Sequence, residues 1–249
     1  AHLGKMISDR MEVMLGKEKI TKESPEYWGL APICTDEQAL IAIKMGKRKP
    51  RTFAQIKKLT KINDDEYLQK QLDEMSNNGL IEYNWENPQH EKQYVLPMYV
   101  PGSAEFTNMN ADVLRDHPEM GRFFERMSRL PLEKVTPMVP LGGAGIGMHV
   151  IPVEKAIEME NHSVSVEHIS HWLDKYEGKY AASPCSCRRS RVTYDEGCAD
   201  DPEGWCIAVG DMADYVVETN KGGRYITREE VYEILEQAEE NGFVHQITN

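Results

Sequence analysis

Cysteine is nearly absent from most of this chain: of 249 residues, the first 184 contain only Cys34. Long apolar runs are missing too. None approaches the roughly 18 residues that a bilayer-crossing helix needs, so no membrane span is expected. Positive charge is in deficit, with 29 Lys and Arg against 41 Asp and Glu and a net charge of −12. That balance excludes general nucleic-acid binding, which rewards clustered positive charge. The opening AHLGKMISDRMEVMLGKEK has neither the apolar core nor the small-residue cleavage site of a signal peptide, and the expected location is the cytoplasm. Hydrolase motifs of the G-x-S-x-G and H-E-x-x-H types and a P-loop are absent as well. What remains is a chain that is 40% hydrophobic and 28% charged, enough to build a packed core.

Four blocks follow from the pattern along the chain. Residues 1–35 read as an amphipathic helical lead-in, with Met6, Met11, Met14 and Leu15 at helical spacing and expected in core or interface packing. In 36–100, a helix is expected from Asp36 to Met45, capped by Thr35 with Gln38 and stopped at Gly46. A second helix follows Thr52, with Phe53, Ile56 and Leu59 on one face. A third begins at Asp64 or Asp65 and ends at Asn77-Asn78-Gly79. Two strands, Leu80–Trp85 and Gln93–Tyr99, then form a hairpin. Three helices and a hairpin resemble the winged helix-turn-helix domains of the MarR and ArsR groups of regulators, and the expected fold class is α+β.

Charge decides what such a domain can do. The third helix of a winged helix lies in the major groove, yet residues 64–86 carry seven acids and a single base, Lys70. Those charges would repel phosphates, so a scaffold or docking role is expected and DNA binding is not. The basic stretch Lys44, Lys47, Arg48, Lys49 and Arg51 reads as a solvated turn, or as contact with an acidic partner.

Residues 101–180 form a mixed connecting region. A helix is expected over Pro118–Leu130, extended segments over Lys134–Leu141 and Met148–Val153, and a second helix over Val166–Tyr176. The glycine run 142–147 does not have the dinucleotide-binding spacing and reads as a hairpin tip or lid. Residues 181–249 form the fourth block, a small helix and hairpin domain holding four cysteines. Tyr215–Glu218 and Arg224–Ile226 are expected to pair as a hairpin there. A helix capped by Thr227 and Glu230 follows, then an extended end.

Cys185, Cys187, Cys198 and Cys206 fall within 22 residues, and in a reducing compartment such a cluster reads as a metal or iron–sulfur site. Four thiolates complete either tetrahedral zinc or a cubane cluster. Structural zinc sites usually show two C-x2–4-C knuckles; here one tight pair precedes two separated cysteines, which favours a [4Fe–4S] cluster and leaves zinc as the alternative. Arg188, Arg189 and Arg191 either offset the cluster's charge or pair with Asp195, Glu196, Asp200 or Asp201. Trp205 and Pro202 are placed to shield the site. Cys34 is expected to be a buried thiol, and His149, His162, His168, His171 and His245 form no ligand pattern.

The motif Pro184-Cys185-Ser186-Cys187-Arg188, with Cys198, Pro202-Glu203, Cys206 and Gly210, resembles a [4Fe–4S]-binding segment of oxidoreductases of anaerobes. Gly223-Arg224-Tyr225-Ile226-Thr227-Arg228-Glu229-Glu230, Gly242-Phe243-Val244-His245 and the upstream Val150-Ile151-Pro152-Val153-Glu154 share the likeness. These proteins are described as iron–sulfur or pyridine nucleotide-disulfide oxidoreductases. The resemblance implies an electron-transfer module, the amino-terminal part or a subunit of a larger flavin- or NAD(P)-linked enzyme, with a flavin, NAD(P)-binding or ferredoxin-like domain as partner. It supports the four cysteines as ligands and supplies no substrate.

Overall fold

The computed structural model describes residues 1–135, 148–150, 168–196 and 203–248. It is a mixed α+β fold. Three short helices lead in, α1 (His2–Ile7), α2 (Met11–Met14) and α3 (Pro25–Trp28). Of the expected methionine face only Met6 packs against the core: Met11, Met14 and Leu15 are exposed, while Leu3, Ile7 and Val13 are buried. The lead-in breaks into separate turns, so no single helical stripe runs through it and the apolar positions sort turn by turn.

The next segment runs α4 (Asp36–Met45), β1 (Arg51–Thr52), α5 (Phe53–Thr60), α6 (Asp65–Asn77), β2 (Glu82–Asn84) and β3 (Gln93–Val95). The Thr35–Gln38 capping box is present, with both reciprocal hydrogen bonds, and the Thr52–Gln55 pair caps α5 in the same way. Asp64 accepts from the Tyr67 N–H at the start of α6. The strands form an antiparallel sheet in the order β1-β3-β2, with Tyr83 opposite Tyr94. Both strands of the hairpin are shorter than their apolar runs, and the ladder stops before Leu96 and Tyr99, which are fully buried. Ile56 packs inward from α5, whereas Leu59 is exposed.

Helices α7 (Ser103–Met109) and α8 (Ala111–Asp116) have no counterpart in the sequence reading. Glu105 accepts from the Gly102 N–H at 2.7 Å, and Asn110 from those of Asp112 and Val113. Helix α9 (Glu119–Val135) overruns the expected end at Leu130, so residues 134–135 are helical rather than extended. The remainder of Lys134–Leu141, the glycine run and His162 lie outside the described residues. Strand β4 (Met148–Val150) pairs antiparallel with β8 (Gln246–Thr248).

The carboxy-terminal part contains α10 (Ile169–Lys175), β5 (Tyr180–Ser183), α11 (Ser186–Val192), β6 (Cys206–Val209), α12 (Asp211–Glu218), β7 (Arg224–Tyr225) and α13 (Arg228–Glu240). Its sheet has the order β6-β5-β7, all antiparallel. The hairpin expected from Tyr215–Glu218 is therefore wrong: these residues belong to α12, and β7 pairs with β5 instead. The Tyr-Val-Val run looks strand-like, but Asp211 and Asp214 in the preceding turn suit a helix start. Gly210 supplies the required positive φ of 63°. Helix α13 has the expected Thr227–Glu230 box.

One apolar core gathers residues from α1 through α9 together with Ala181, Ala213, Tyr215 and Val216. Tyr215 is fully buried and donates its hydroxyl proton toward the carbonyls of Ile81 at 2.8 Å and Ser76 at 3.2 Å. Tyr83 stacks edge-on against both Tyr94 and Tyr215. A second cluster of Leu173, Tyr180, Ala182, Ile226 and Val231 lies on the other face of β5.

Candidate metal centre

Strand β5 is buried along its whole length and delivers Pro184 and Cys185 to the start of α11. Cys185 is the residue before the helix, and Cys187 lies in its first turn. Strand β6 runs antiparallel to β5 with Cys206 opposite Ser183, which returns the chain to the same corner. Three of the four expected cysteines thus meet: the thiols of Cys187 and Cys206 each hydrogen-bond the sulfur of Cys185. Cys198 lies outside the described residues. The three are free thiols; Cys187 is exposed, and Cys185 and Cys206 are partly buried.

The trio shares charge unequally. Hydrogen bonds from Cys187 and then Cys206 hold the Cys185 thiol far below its ordinary value. The Arg188 backbone N–H and guanidinium reinforce this, and burial opposes it. Donation toward Cys185 raises Cys187 and Cys206, and burial adds to both. The corner therefore stabilises a sulfur anion at Cys185.

Several contacts hold α11 in place. Asn108, fully buried at the end of α7, donates from Nδ2 to the carbonyl of Ser186, the residue between the paired cysteines. Arg189 donates to the Met109 carbonyl at 2.6 Å and pairs with Glu203. Ser190 Oγ donates to the Gly121 carbonyl at 2.6 Å. Arg191 pairs with Glu196, as one sequence reading expected, and with Glu125 on α9. Arg188 instead lies 3.6 Å over the Phe243 ring, with Trp205 packed edge-on against the same ring. Of the three arginines, Arg188 is the one whose charge lowers the Cys185 and Cys206 thiols among their main influences. Pro202 lies outside the described residues.

Asn108 carried no signal in the sequence, because it belongs to no ligand motif and reaches the site through tertiary packing; Phe243 entered only within the Gly242-Phe243-Val244-His245 likeness, which did not place it over Arg188. Among the described residues, no group of three or more His, Cys, Asp or Glu side chains is disposed to hold a metal ion. No protein-family model, curated protein or solved structure matches the chain.

Cys34 stands apart from this corner. Its thiol donates to the Leu30 carbonyl at 3.5 Å and is pushed up to about 11, chiefly by burial and then by Asp36. His245 pairs with Glu239 at 3.1 Å. Lys47 and Arg48, expected in a solvated turn, lie close enough to act on the chain's own acids: both lower the Asp9 carboxyl, and Arg48 lowers that of Glu82. Among the described helices, none is long and apolar enough to cross a membrane.

Proposed function

We propose that Cys185, Cys187, Cys198 and Cys206 hold a [4Fe–4S] cluster, with zinc as the competing occupant. The chain would serve as an electron-transfer module of a larger flavin- or NAD(P)-linked oxidoreductase. The observation that carries this reading is the meeting of Cys185, Cys187 and Cys206, the first and last 21 positions apart in the chain, with Cys187 and Cys206 each hydrogen-bonded to the sulfur of Cys185. The donor set suits the group: clustered thiolates bind soft metals, and a bound cluster supplies one-electron transfer. Metal binding requires every ligating thiol to be deprotonated; the corner favours the anion at Cys185, while a bound cation would have to draw the protons from Cys187 and Cys206. Arg188 offsets negative charge there, with its guanidinium packed against Trp205 and Phe243.

The segment 36–100 is read as a winged helix-turn-helix. Its support is the order of three helices and three strands with the β1-β3-β2 sheet. Asp65, Glu66 and Asp73 are exposed on α6, so a docking or scaffold role fits better than DNA contact. The alternative, a metal- or redox-sensing regulator, requires salt-sensitive binding to duplex DNA, which a mobility-shift titration reads directly. For the cluster itself, Cys187→Ala should abolish metal loading in anaerobically purified protein. Undiminished metal content in that variant would remove Cys187 from the ligand set.

A further inference from the structure

We propose that the face formed where the end of α4 meets the end of α5 docks an acidic amphipathic segment of a partner protein, one that carries carboxylates around apolar side chains. This rests on the docking role read above for residues 36–100 and names its face and partner chemistry. It does not rest on the cysteine site.

Charge is distributed unevenly along the chain. Residues 38–63 hold eight Lys and Arg and no acid, whereas the rest of the chain holds all 41 Asp and Glu against 21 Lys and Arg. Folding gives some of these cations internal tasks. Lys57 pairs with Asp65 at 2.6 Å, and Arg51 donates to the Met45 carbonyl at 3.5 Å. Lys47 and Arg48 act on the Asp9 carboxyl, and Arg48 on that of Glu82. Lys44, Lys49, Lys58 and Lys61 are exposed, and among the described residues none of the four has a carboxylate within ion-pair distance.

Lys44 brings three of these ammoniums together. Its Nζ donates to the carbonyl of Thr60 at 3.2 Å, so the last turn of α4 lies against the last residue of α5. An ammonium has three donors, and this contact leaves two for a partner. Lys58 and Lys61 stand on either side of Thr60 in the chain, three positions apart. Two leucines border the same contact. Leu40, one turn before Lys44 on α4, is 60% exposed, and Leu59, next to Thr60, is 40% exposed. Apolar contact with charge around it is the anatomy of a protein interface. A phosphate backbone would use the lysines and leave the leucines idle. Exposed acids also flank the patch in the chain, Asp36 and Glu37 a turn before Leu40 and Asp64 and Glu66 just after Lys61; they repel a continuous polyanion. A short carboxylate-bearing segment with apolar residues matches both chemistries. Such charge complementarity steers encounter more than it adds affinity, so a weak, salt-sensitive complex is expected.

A fluorescently labelled peptide copying residues Arg228–Glu240 of this chain serves as the probe, because its glutamates surround Val231, Ile234 and Leu235. Anisotropy titrated with the whole chain at about 50 mM sodium chloride should show saturable binding tighter than about 1 mM. Binding should weaken by at least about tenfold at about 500 mM salt, and equally for a peptide with glutamine at every glutamate. The double variant Lys58→Gln, Lys61→Gln should bind at least about fivefold more weakly and Leu40→Ser at least about threefold. All three side chains are exposed, so the circular dichroism spectra should match the parent. The proposal fails if the peptide does not saturate in the millimolar range, or if both variants bind it like the parent chain. It fails too if a duplex of about 20 base pairs binds more tightly than the peptide at the same salt. Duplex binding would overturn the docking reading of the whole segment, whereas peptide binding indifferent to the variants would keep docking and move it off this face. Salt-sensitive self-association in sedimentation velocity, lost in the double lysine variant, would overturn the assignment in favour of a second copy. Cys187→Ala should bind the peptide normally, so failure of the cysteine site is read separately.

Discussion

Lys221 donates from Nζ to the carbonyl of Asn77 at 2.6 Å, at the last turn of α6. The same nitrogen reaches the carbonyls of Ser76 at 2.8 Å and Thr219 at 2.7 Å, and the residue is 0% exposed. A lysine is seldom buried without partners. Here one nitrogen reaches three acceptors and ties the turn after α12 to the end of α6, while burial pulls the Lys221 ammonium down to about 7.

Lys221→Met keeps the aliphatic bulk but removes the donor shared by three carbonyls, of which Ser76 keeps Tyr215 and Asn77 keeps Asn110. The expected loss is about 3 kcal/mol of unfolding free energy, measured by urea denaturation. A loss under about 1 kcal/mol would mean that water reaches those carbonyls.

Asp9 and Glu82 predict a pH dependence. Each carboxyl is raised to about 7, chiefly by burial, against the pull of Lys47 and Arg48 on Asp9 and of Arg48 on Glu82. A folded-state value above the unfolded one means that the native chain binds more protons between about pH 4 and 7. Their contribution is full below pH 4 and is lost as pH rises toward 7. Asp9→Asn imitates the protonated form, and its amide oxygen can still accept from the Val100 N–H, now at 2.8 Å. Its melting temperature should therefore gain on the parent chain between pH 5 and 8. A constant difference across that range would show that Asp9 titrates normally.

Gly121 marks a close approach of α9 and α11. A Cβ there would meet Thr193 Cγ2 at 2.3 Å, too close for any side chain. Gly121→Ala should cost about 2 kcal/mol, and adding Thr193→Ala should recover part of it. Additive losses in the double variant would place the strain elsewhere.

Much of the fold could be read locally. Thr35, Thr52, Asp64 and Thr227 accept from backbone N–H groups at their helix starts, and these caps depend on residues three positions apart. Period and capping failed where tertiary contacts decide. Tyr215-Val216-Val217 has strand-forming residues but sits on a helix, because Tyr215 must reach the carbonyls under β2. Lys221, in a Lys-Gly-Gly turn, reads as solvent-exposed and is in fact a core residue. At the candidate site, the cysteine spacing pointed to the corner where Cys185, Cys187 and Cys206 meet. The support from Asn108 was invisible because it comes from about 80 residues away in sequence, and the place of Phe243 over Arg188 was not legible from the likeness that includes it.

Iron, acid-labile sulfide and zinc content of the anaerobically purified chain, read together with its electron paramagnetic resonance spectrum after reduction, bears most directly on the sulfur corner. A [4Fe–4S] site requires about four iron and four sulfide per chain and a paramagnetic reduced state. A colourless protein carrying one zinc and no sulfide would contradict the electron-transfer role.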